Sequence, residues 1–86
     1  MPEVSRFFGI IIRIYTREHG VAHFHASYGA ERAVFAIETL ACIEGRLPRR
    51  AHAMVLEWAH LHRPELLQNW QCAQRHVPLT AIEPLH

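Results

Sequence analysis

The first half of the chain alternates apolar and polar positions with the period of two that is typical of β-strands. Residues 4–15 are rich in β-branched and aromatic side chains, which predicts one strand, with Gly9 marking a bulge or bend. One face of this strand carries Phe8, Ile10, Ile12 and Ile14. The other face carries Phe7, Ile11, Arg13 and Tyr15. We expect the first face to enter the core because it is entirely apolar.

A polar turn ending at Gly20 leads into a second strand. Three of the eight histidines of the chain lie in this strand or just before it. Its core face is predicted to carry Ala22, Phe24, Ala26 and Tyr28. Its opposite face is predicted to carry His23, His25 and Ser27. The short connection predicts an antiparallel hairpin. Since Phe24 and Ile12 must share the core face, Arg13 is expected opposite one of the two histidines or one pair away.

The remaining pattern predicts further strands and then helices. Gly29 closes a second turn before a third strand over residues 31–38, and residues 40–43 predict a short fourth strand. From Pro48 to about His76 the apolar positions follow helical spacing, and Pro64 either kinks one helix or begins a second. A stripe of side chains four residues apart is predicted to face the core: Trp58, His62, Leu66 and Trp70. Glu57 lies off this stripe and is expected in solvent.

These elements together predict an α+β fold. A three- to four-stranded antiparallel meander from Phe7 to Ile43 would be followed by one kinked helix or two helices, packed on one face of the sheet. The length of 86 residues predicts one small domain covering residues 1–86. Residues 77–86 include Pro78 and Pro84, so they are predicted to form an extended C-terminal arm that docks on the domain or on a partner.

Composition narrows the range of functions. The formal net charge is +1, so the chain lacks the strong excess of basic residues that would by itself indicate a nucleic-acid-binding protein. Cys42 and Cys72 belong to no Cys-x-x-Cys motif and are expected to be free thiols in a reducing compartment. We expect a cytoplasmic protein without membrane association, because the sequence has neither a basic leader nor a long apolar run. No cofactor is expected.

The polar face of the histidine strand is the first candidate site. His23 and His25 could act as general acid and base, with Arg13 stabilising charge on a phosphorane. With His19 or His62 the pair could instead hold a metal ion, because His-x-His on a strand supplies two of the three or four ligands required. A solvated polar face is the simpler explanation. Without a carboxylate nearby, Arg13 and two imidazoles would attract an anion.

Arginines at the start of the helical region are the second candidate site. Arg46, Arg49 and Arg50 surround Pro48, where cations oppose the helix dipole at a cost of roughly a few tenths of a kcal/mol each. Binding to a phosphate or an acidic partner surface would offset this cost, and Tyr15 is a further candidate contact. A solvated charged turn is the alternative.

Several separated segments carry a family resemblance: Ser5 to Arg13, His23-Phe24-His25-Ala26-Ser27-Tyr28-Gly29, Leu47-Pro48-Arg49-Arg50, Glu57-Trp58, His62, and Glu65-Leu66 through Trp70. Over nearly its whole length the chain resembles the small bacterial family called domain of unknown function 4160. Val21-Ala22 stands where that family usually has Pro-Pro. The resemblance implies a gene neighbour from a second family, domain of unknown function 2442, in an arrangement similar to a two-gene toxin–antitoxin module.

Two classes of function follow. The protein is expected to be an interaction or regulatory component of such a module, with a partner protein of family 2442 and with nucleic acid or a second copy as further candidates. The alternative is a small ribonuclease-like toxin that uses His23, His25 and Arg13, or a histidine-based metal-binding protein. Convergence of these residues on a concave pocket would favour the enzyme, and a flat open face would favour the interaction component.

Overall fold

The computed structural model describes residues 3–86, which form an α+β fold as predicted. Five strands make one antiparallel sheet in chain order: β1 Glu3–Phe7, β2 Ile10–Arg13, β3 His23–Tyr28, β4 Glu31–Ala36 and β5 Cys42–Arg46. Two helices follow, α1 Arg49–Leu61 and α2 Arg63–Gln74. The expected strand number of three to four was therefore wrong, and the expected antiparallel order was confirmed.

The additional strand arises at Phe8 and Gly9, which form a tight turn between β1 and β2 rather than a bulge. Both have positive φ, 50° for Phe8 and 82° for Gly9, as the common two-residue hairpin turn requires. The turn reverses the expected facing of the two phenylalanines. Phe7 is only 5% exposed, whereas Phe8 is 60% exposed. The predicted placement of Phe8 in the core and Phe7 outside was thus wrong.

The Phe8 position gives a testable prediction about stability. Replacing Phe8 with Asn should raise the free energy of unfolding by about 0.5–1 kcal/mol, because Asn tolerates positive φ far better than Phe. Little packing is lost, since the side chain is mostly exposed. Urea unfolding of the two proteins measures the difference, and a Phe8→Asn protein less stable than the parent would contradict this account of the turn.

Strand register explains which side chains enter the core. Ile12 pairs with Ala26, and Phe24 pairs with Phe35, whose ring stacks on it at 5.4 Å. Ile12 and Phe24 are fully buried, as expected. Tyr28 lies at the end of β3 and is 40% exposed, so its predicted core position was wrong. We call this core-facing side the inner face and the opposite side the outer face.

The boundaries of β4 and β5 differ from the prediction because a turn intervenes. The amide of Ala36 donates to the carbonyl of Ala41, and the amide of Leu40 donates to the carbonyl of Ala36. Leu40 also has a φ of 62°, which no strand accommodates. The third strand therefore ends at Ala36 instead of residue 38, and the last strand begins at Cys42 instead of residue 40.

The helical region forms two separate helices, with Pro64 in the first turn of α2, where its missing amide is harmless. Trp58 of α1 is fully buried, and its ring lies 5.3 Å from that of Phe7 and 6.1 Å from that of Phe24. Trp58 thus packs against Phe7, which takes the core position that was expected for Phe8. Neither helix in the described chain is long and apolar enough to cross a membrane.

Residues 77–86 contain no helix or strand and lie against the domain. The buried Asn69 of α2 holds Thr80 twice, donating to its carbonyl and accepting from its amide, both at 2.8 Å. The amide of Ile82 donates to the carbonyl of Val4 at 2.8 Å, and the Ile82 side chain is part of the core. This arm completes the packing around α1 and β1.

Candidate functional site

The outer face brings together side chains from three neighbouring strands. Arg13 on β2 pairs directly with His25 on β3, as the core parity predicted. Ser27, two residues further along β3, pairs with Arg32 on β4. Directly paired residues in an antiparallel sheet point to the same side, so these four side chains share the outer face.

These side chains border a concave site of about 430 Å³, which we call the outer cavity. Six residues line it: Arg13, Tyr15, His25, Ala26, Ser27 and Arg32. Two of them are arginines, and the lining contributed by residues 3–86 contains no carboxylate. The lining therefore carries two guanidinium charges and no acidic side chain to neutralise them.

The Arg13 guanidinium is only partly satisfied by the protein. One of its terminal nitrogens, Nη1, donates to Ser27 Oγ at 3.3 Å. Its Nε is buried and has no hydrogen-bond partner within residues 3–86. Glu3 pairs with Arg13 across the strands, but its carboxylate accepts two hydrogen bonds from Arg6, at 2.9 and 3.0 Å. Those hydrogen bonds lower the pKa of Glu3, and Arg13 contributes only a weaker charge effect.

A second group of polar side chains lies beside the cavity, and we call it the histidine cluster: Glu18, His23 and His25. One carboxylate oxygen of Glu18, Oε1, lies 2.7 Å from Nε2 of both histidines. The expectation that no carboxylate accompanies the histidine pair was therefore wrong. Burial alone would raise the pKa of Glu18, but hydrogen bonds from His25 and His23 together hold it below its usual value.

The two histidines occupy different surroundings. His23 is only 9% exposed, and its ring lies 4.8 Å from that of Trp70 on α2. His25 is half-buried, and Tyr15 contacts it edge-on with ring centroids 4.7 Å apart. The pair is thus held against the domain rather than spread in solvent, and only His25 reaches the outer cavity.

The other two histidines considered for a metal site lie elsewhere. His19 is exposed in the loop before β3 and is not part of the histidine cluster. His62, at the junction of α1 and α2, is bound through Nδ1 to Glu65 Oε1 at 2.6 Å. The third ligand available to His23 and His25 is Glu18 instead, and all three ligand atoms lie within 4.8 Å of one another.

The three arginines around Pro48 do not converge on one site. Arg49 and Arg50 open α1, whose first turn has no acidic residue, as the sequence suggested. Arg46 and Arg49 border one surface depression with Cys42 and His52. Arg50 borders another. They therefore form a broad positive region rather than a single pocket for an anion.

Sequence reasoning missed two residues of the site. Arg32 could have been found, because a two-residue turn at Gly29 and Ala30 sets Ser27 opposite Arg32. Glu18 lies in a loop with no periodicity, so no pattern places its side chain over the histidines. The side-chain amide of Gln74 on α2 holds this loop, because its Nε2 donates to the backbone carbonyl of Glu18 at 2.9 Å.

Comparison with known proteins identifies the family. The profile described as "Domain of unknown function (DUF4160)" matches residues 9–71, which is most of the chain. The chain belongs to the DUF4160 family. The DUF4160 match contains every residue of the outer cavity and of the histidine cluster, and it excludes β1 and the arm. No curated protein and no solved structure shows a significant match to this DUF4160 chain.

Proposed function

We propose that this DUF4160 protein binds the phosphates of single-stranded RNA in the outer cavity. In this proposal it serves as the interaction or regulatory component of a two-protein, toxin–antitoxin-like module. The observation that carries the proposal is the Arg13 guanidinium, which lines a carboxylate-free cavity in the described chain with its buried Nε unpartnered.

An anion would satisfy this guanidinium. A buried donor without a partner costs about 1–3 kcal/mol, and more where the group is charged. A phosphate offers several acceptor oxygens to the planar fork of donors on an arginine, which is why this pair is common in nucleic-acid recognition. The Ser27 hydroxyl, already bonded to Arg13, can contact the same anion.

The neighbouring strands extend the positive surface. Arg32 pairs directly with Arg46 of β5, and like charges placed opposite each other on a sheet are unfavourable unless something intervenes. A phosphodiester backbone crossing the strands would relieve this repulsion. Arg46 therefore keeps the anion-binding role proposed for it, through its position beside Arg32 rather than through the helix start.

The shape of the surface favours a single strand over a duplex. An antiparallel sheet that offers basic and aromatic side chains on one face is a common platform for unpaired nucleotides. Tyr15 supplies an aromatic ring at the cavity wall.

The proposal predicts that Arg13→Met lowers the affinity for a single-stranded RNA oligonucleotide about tenfold, since each lost phosphate contact is worth about 1–2 kcal/mol. The negative slope of log K against log salt concentration should also become shallower by about 0.7. Fluorescence anisotropy at several salt concentrations measures both quantities. Arg75→Met is the matched control, because Arg75 is exposed at the end of α2 and its replacement removes the same charge outside the cavity.

Equal losses of RNA affinity in the Arg13→Met and Arg75→Met proteins would attribute the effect to net charge and refute a site in the cavity.

Co-expression with the neighbouring family 2442 protein tests the proposed two-protein module itself. The wild-type chain should co-purify with that partner, and failure to do so would remove the partner from the proposal while leaving RNA binding to be judged by the anisotropy.

A ribonuclease-like toxin is the second candidate, and the position of His25 favours it. A neutral His25 that donates Nε2–H to Glu18 keeps a lone pair on Nδ1, where it can remove a proton. Removal of a ribose 2′-hydroxyl proton would let the 2′-oxygen attack the adjacent phosphorus, with Arg13 stabilising the developing charge. The P–O5′ bond would break to leave a 2′,3′-cyclic phosphate, and the departing 5′-oxygen would take a proton from water. Cleavage of the bound RNA by wild type but not by His25→Gln would select this candidate over simple binding.

A further inference from the structure

We propose that the histidine cluster of Glu18, His23 and His25 is a binding site for a divalent first-row transition metal ion, with Zn²⁺ as the probe. The proposal does not depend on RNA binding. It rests on the tautomer imposed on His23, on the separation of the three ligand atoms and on the contacts that hold each ligand in place.

The tautomer of His23 is fixed by the backbone. Its Nδ1 lies 2.8 Å from the carbonyl oxygen of Val21, which can only accept, so Nδ1 must carry a proton. In a neutral imidazole the other nitrogen, Nε2, then presents a lone pair. That nitrogen lies 2.7 Å from the Glu18 carboxylate oxygen, which also presents lone pairs. The contact requires a proton or a metal ion between the two atoms.

This arrangement is the usual one for a metal-binding histidine. Such residues donate the remote ring N–H to a carbonyl or carboxylate, which orients the ring and increases the basicity of the ligating nitrogen. The Val21 carbonyl has that role for His23.

The ligand atoms are close enough to share one ion. All three lie within 4.8 Å of one another, and Glu18 Oε1 lies 2.7 Å from each Nε2. With bonds of about 2.0–2.1 Å, ligands of a tetrahedral zinc ion stand about 3.3 Å apart. Binding thus requires the carboxylate to withdraw by roughly half an ångström, a shift available to a side chain in a loop.

Contacts from several elements hold the cluster. Trp70 of α2 packs on the His23 ring, and Tyr15 packs edge-on against His25. The Gln74 side chain anchors the backbone at Glu18. Arg13 pairs with His25 across the strands, and one of its terminal nitrogens donates to Ser27 rather than to a ligand of the cluster. Preorganised ligands lower the entropic cost of binding an ion.

The donor set indicates the class of ion. Two imidazole nitrogens and one carboxylate oxygen suit Zn²⁺, Fe²⁺, Co²⁺ or Mn²⁺, whereas Mg²⁺ and Ca²⁺ prefer oxygen ligands throughout. Three protein ligands leave at least one coordination position for water or a substrate oxygen, which is the pattern of catalytic rather than structural zinc sites.

Isothermal titration of the chelator-treated protein with Zn²⁺ tests the proposal. Wild type should bind one equivalent and show a rise in Tm. Glu18→Gln and His25→Gln should each bind at least tenfold more weakly, since each removes one of three ligands. Far-UV circular dichroism without metal establishes that both variants fold, and both side chains are only half-buried.

Two control variants identify the site. His19→Gln removes an exposed histidine one residue from Glu18 and should leave the affinity within twofold of wild type. Cys42→Ser removes an exposed thiol and should do the same. The proposal is overturned if wild type shows no saturable binding, or if the Glu18 and His25 variants bind as tightly as wild type. Loss of binding in Cys42→Ser alone would place zinc at the thiol and equally overturn it.

Discussion

Replacing Trp58 with Ala is expected to lower the free energy of unfolding by about 3–5 kcal/mol, the usual range for a buried tryptophan. The Trp58 ring is fully buried and contacts Phe7 of β1 and Phe24 of β3. Its indole Nε1 also donates to the carbonyl of Glu83 at 2.8 Å, so the substitution removes one of the contacts that hold the C-terminal arm. A domain of this size has only about 4–13 kcal/mol of stability to lose.

Trp58→Phe separates the two contributions. Phe keeps most of the ring packing but removes the indole N–H, so it leaves the Glu83 carbonyl without this donor and should cost about 1–2 kcal/mol more than repacking alone. Guanidinium unfolding followed by circular dichroism measures both variants. A loss below about 1 kcal/mol for Trp58→Ala would contradict the assignment of this residue to the centre of the core.

Gly45→Ala is expected to lower the free energy of unfolding by at least about 3 kcal/mol, combining backbone strain with steric overlap. Gly45 has a φ of +74°, a conformation that disfavours any Cβ. An added Cβ would also lie 2.2 Å from the carbonyl oxygen of Arg32 on the paired strand. The overlap is with backbone, so β5 must shift away from β4 to relieve it.

Gly29→Ala is the matched control for this prediction. Gly29 has a φ of +60°, but a Cβ there would meet nothing within 4 Å. Its substitution should therefore cost only the left-handed strain, about 1–2 kcal/mol. Thermal and urea unfolding of both variants measure the difference. Equal losses of unfolding free energy at the two glycines would contradict the prediction. They would show that β5 shifts at no cost and that the close contact between β4 and β5 does not disfavour a Cβ at Gly45.

The sequence predicts the fold class and the central sheet because these depend on periodicity. Ile12 and Phe24 must both be buried, and that requirement places Arg13 opposite one of the two histidines or one pair away; the observed partner is His25. The edge of the sheet could not be predicted in the same way. At Phe8 and Gly9 a single pair of positive φ values turns one expected strand into two, and Phe8 is not a residue that signals such a turn.

The candidate site is predictable only where strands form it. Arg13, His25 and Ser27 follow from parity, and Arg32 follows from the short turn after β3. The position of Glu18 depends instead on how a loop packs against α2, including the contact from Gln74. Loop conformations are determined by tertiary contacts between residues far apart in sequence, here 56 positions, so no local pattern carries that information.

The hydrogen bond from Ile82 to Val4 has a consequence for self-association. An open sheet has two edges whose free amides and carbonyls can pair with another molecule. At β1 the arm occupies the Val4 carbonyl, whereas β5 is fully exposed but carries Glu44, Arg46 and an irregular register with β4. One edge is thus covered and the other is charged and distorted, both of which discourage intermolecular β-pairing. Displacing the arm would free the Val4 carbonyl and uncover the β1 edge, which could then pair with a strand of another molecule.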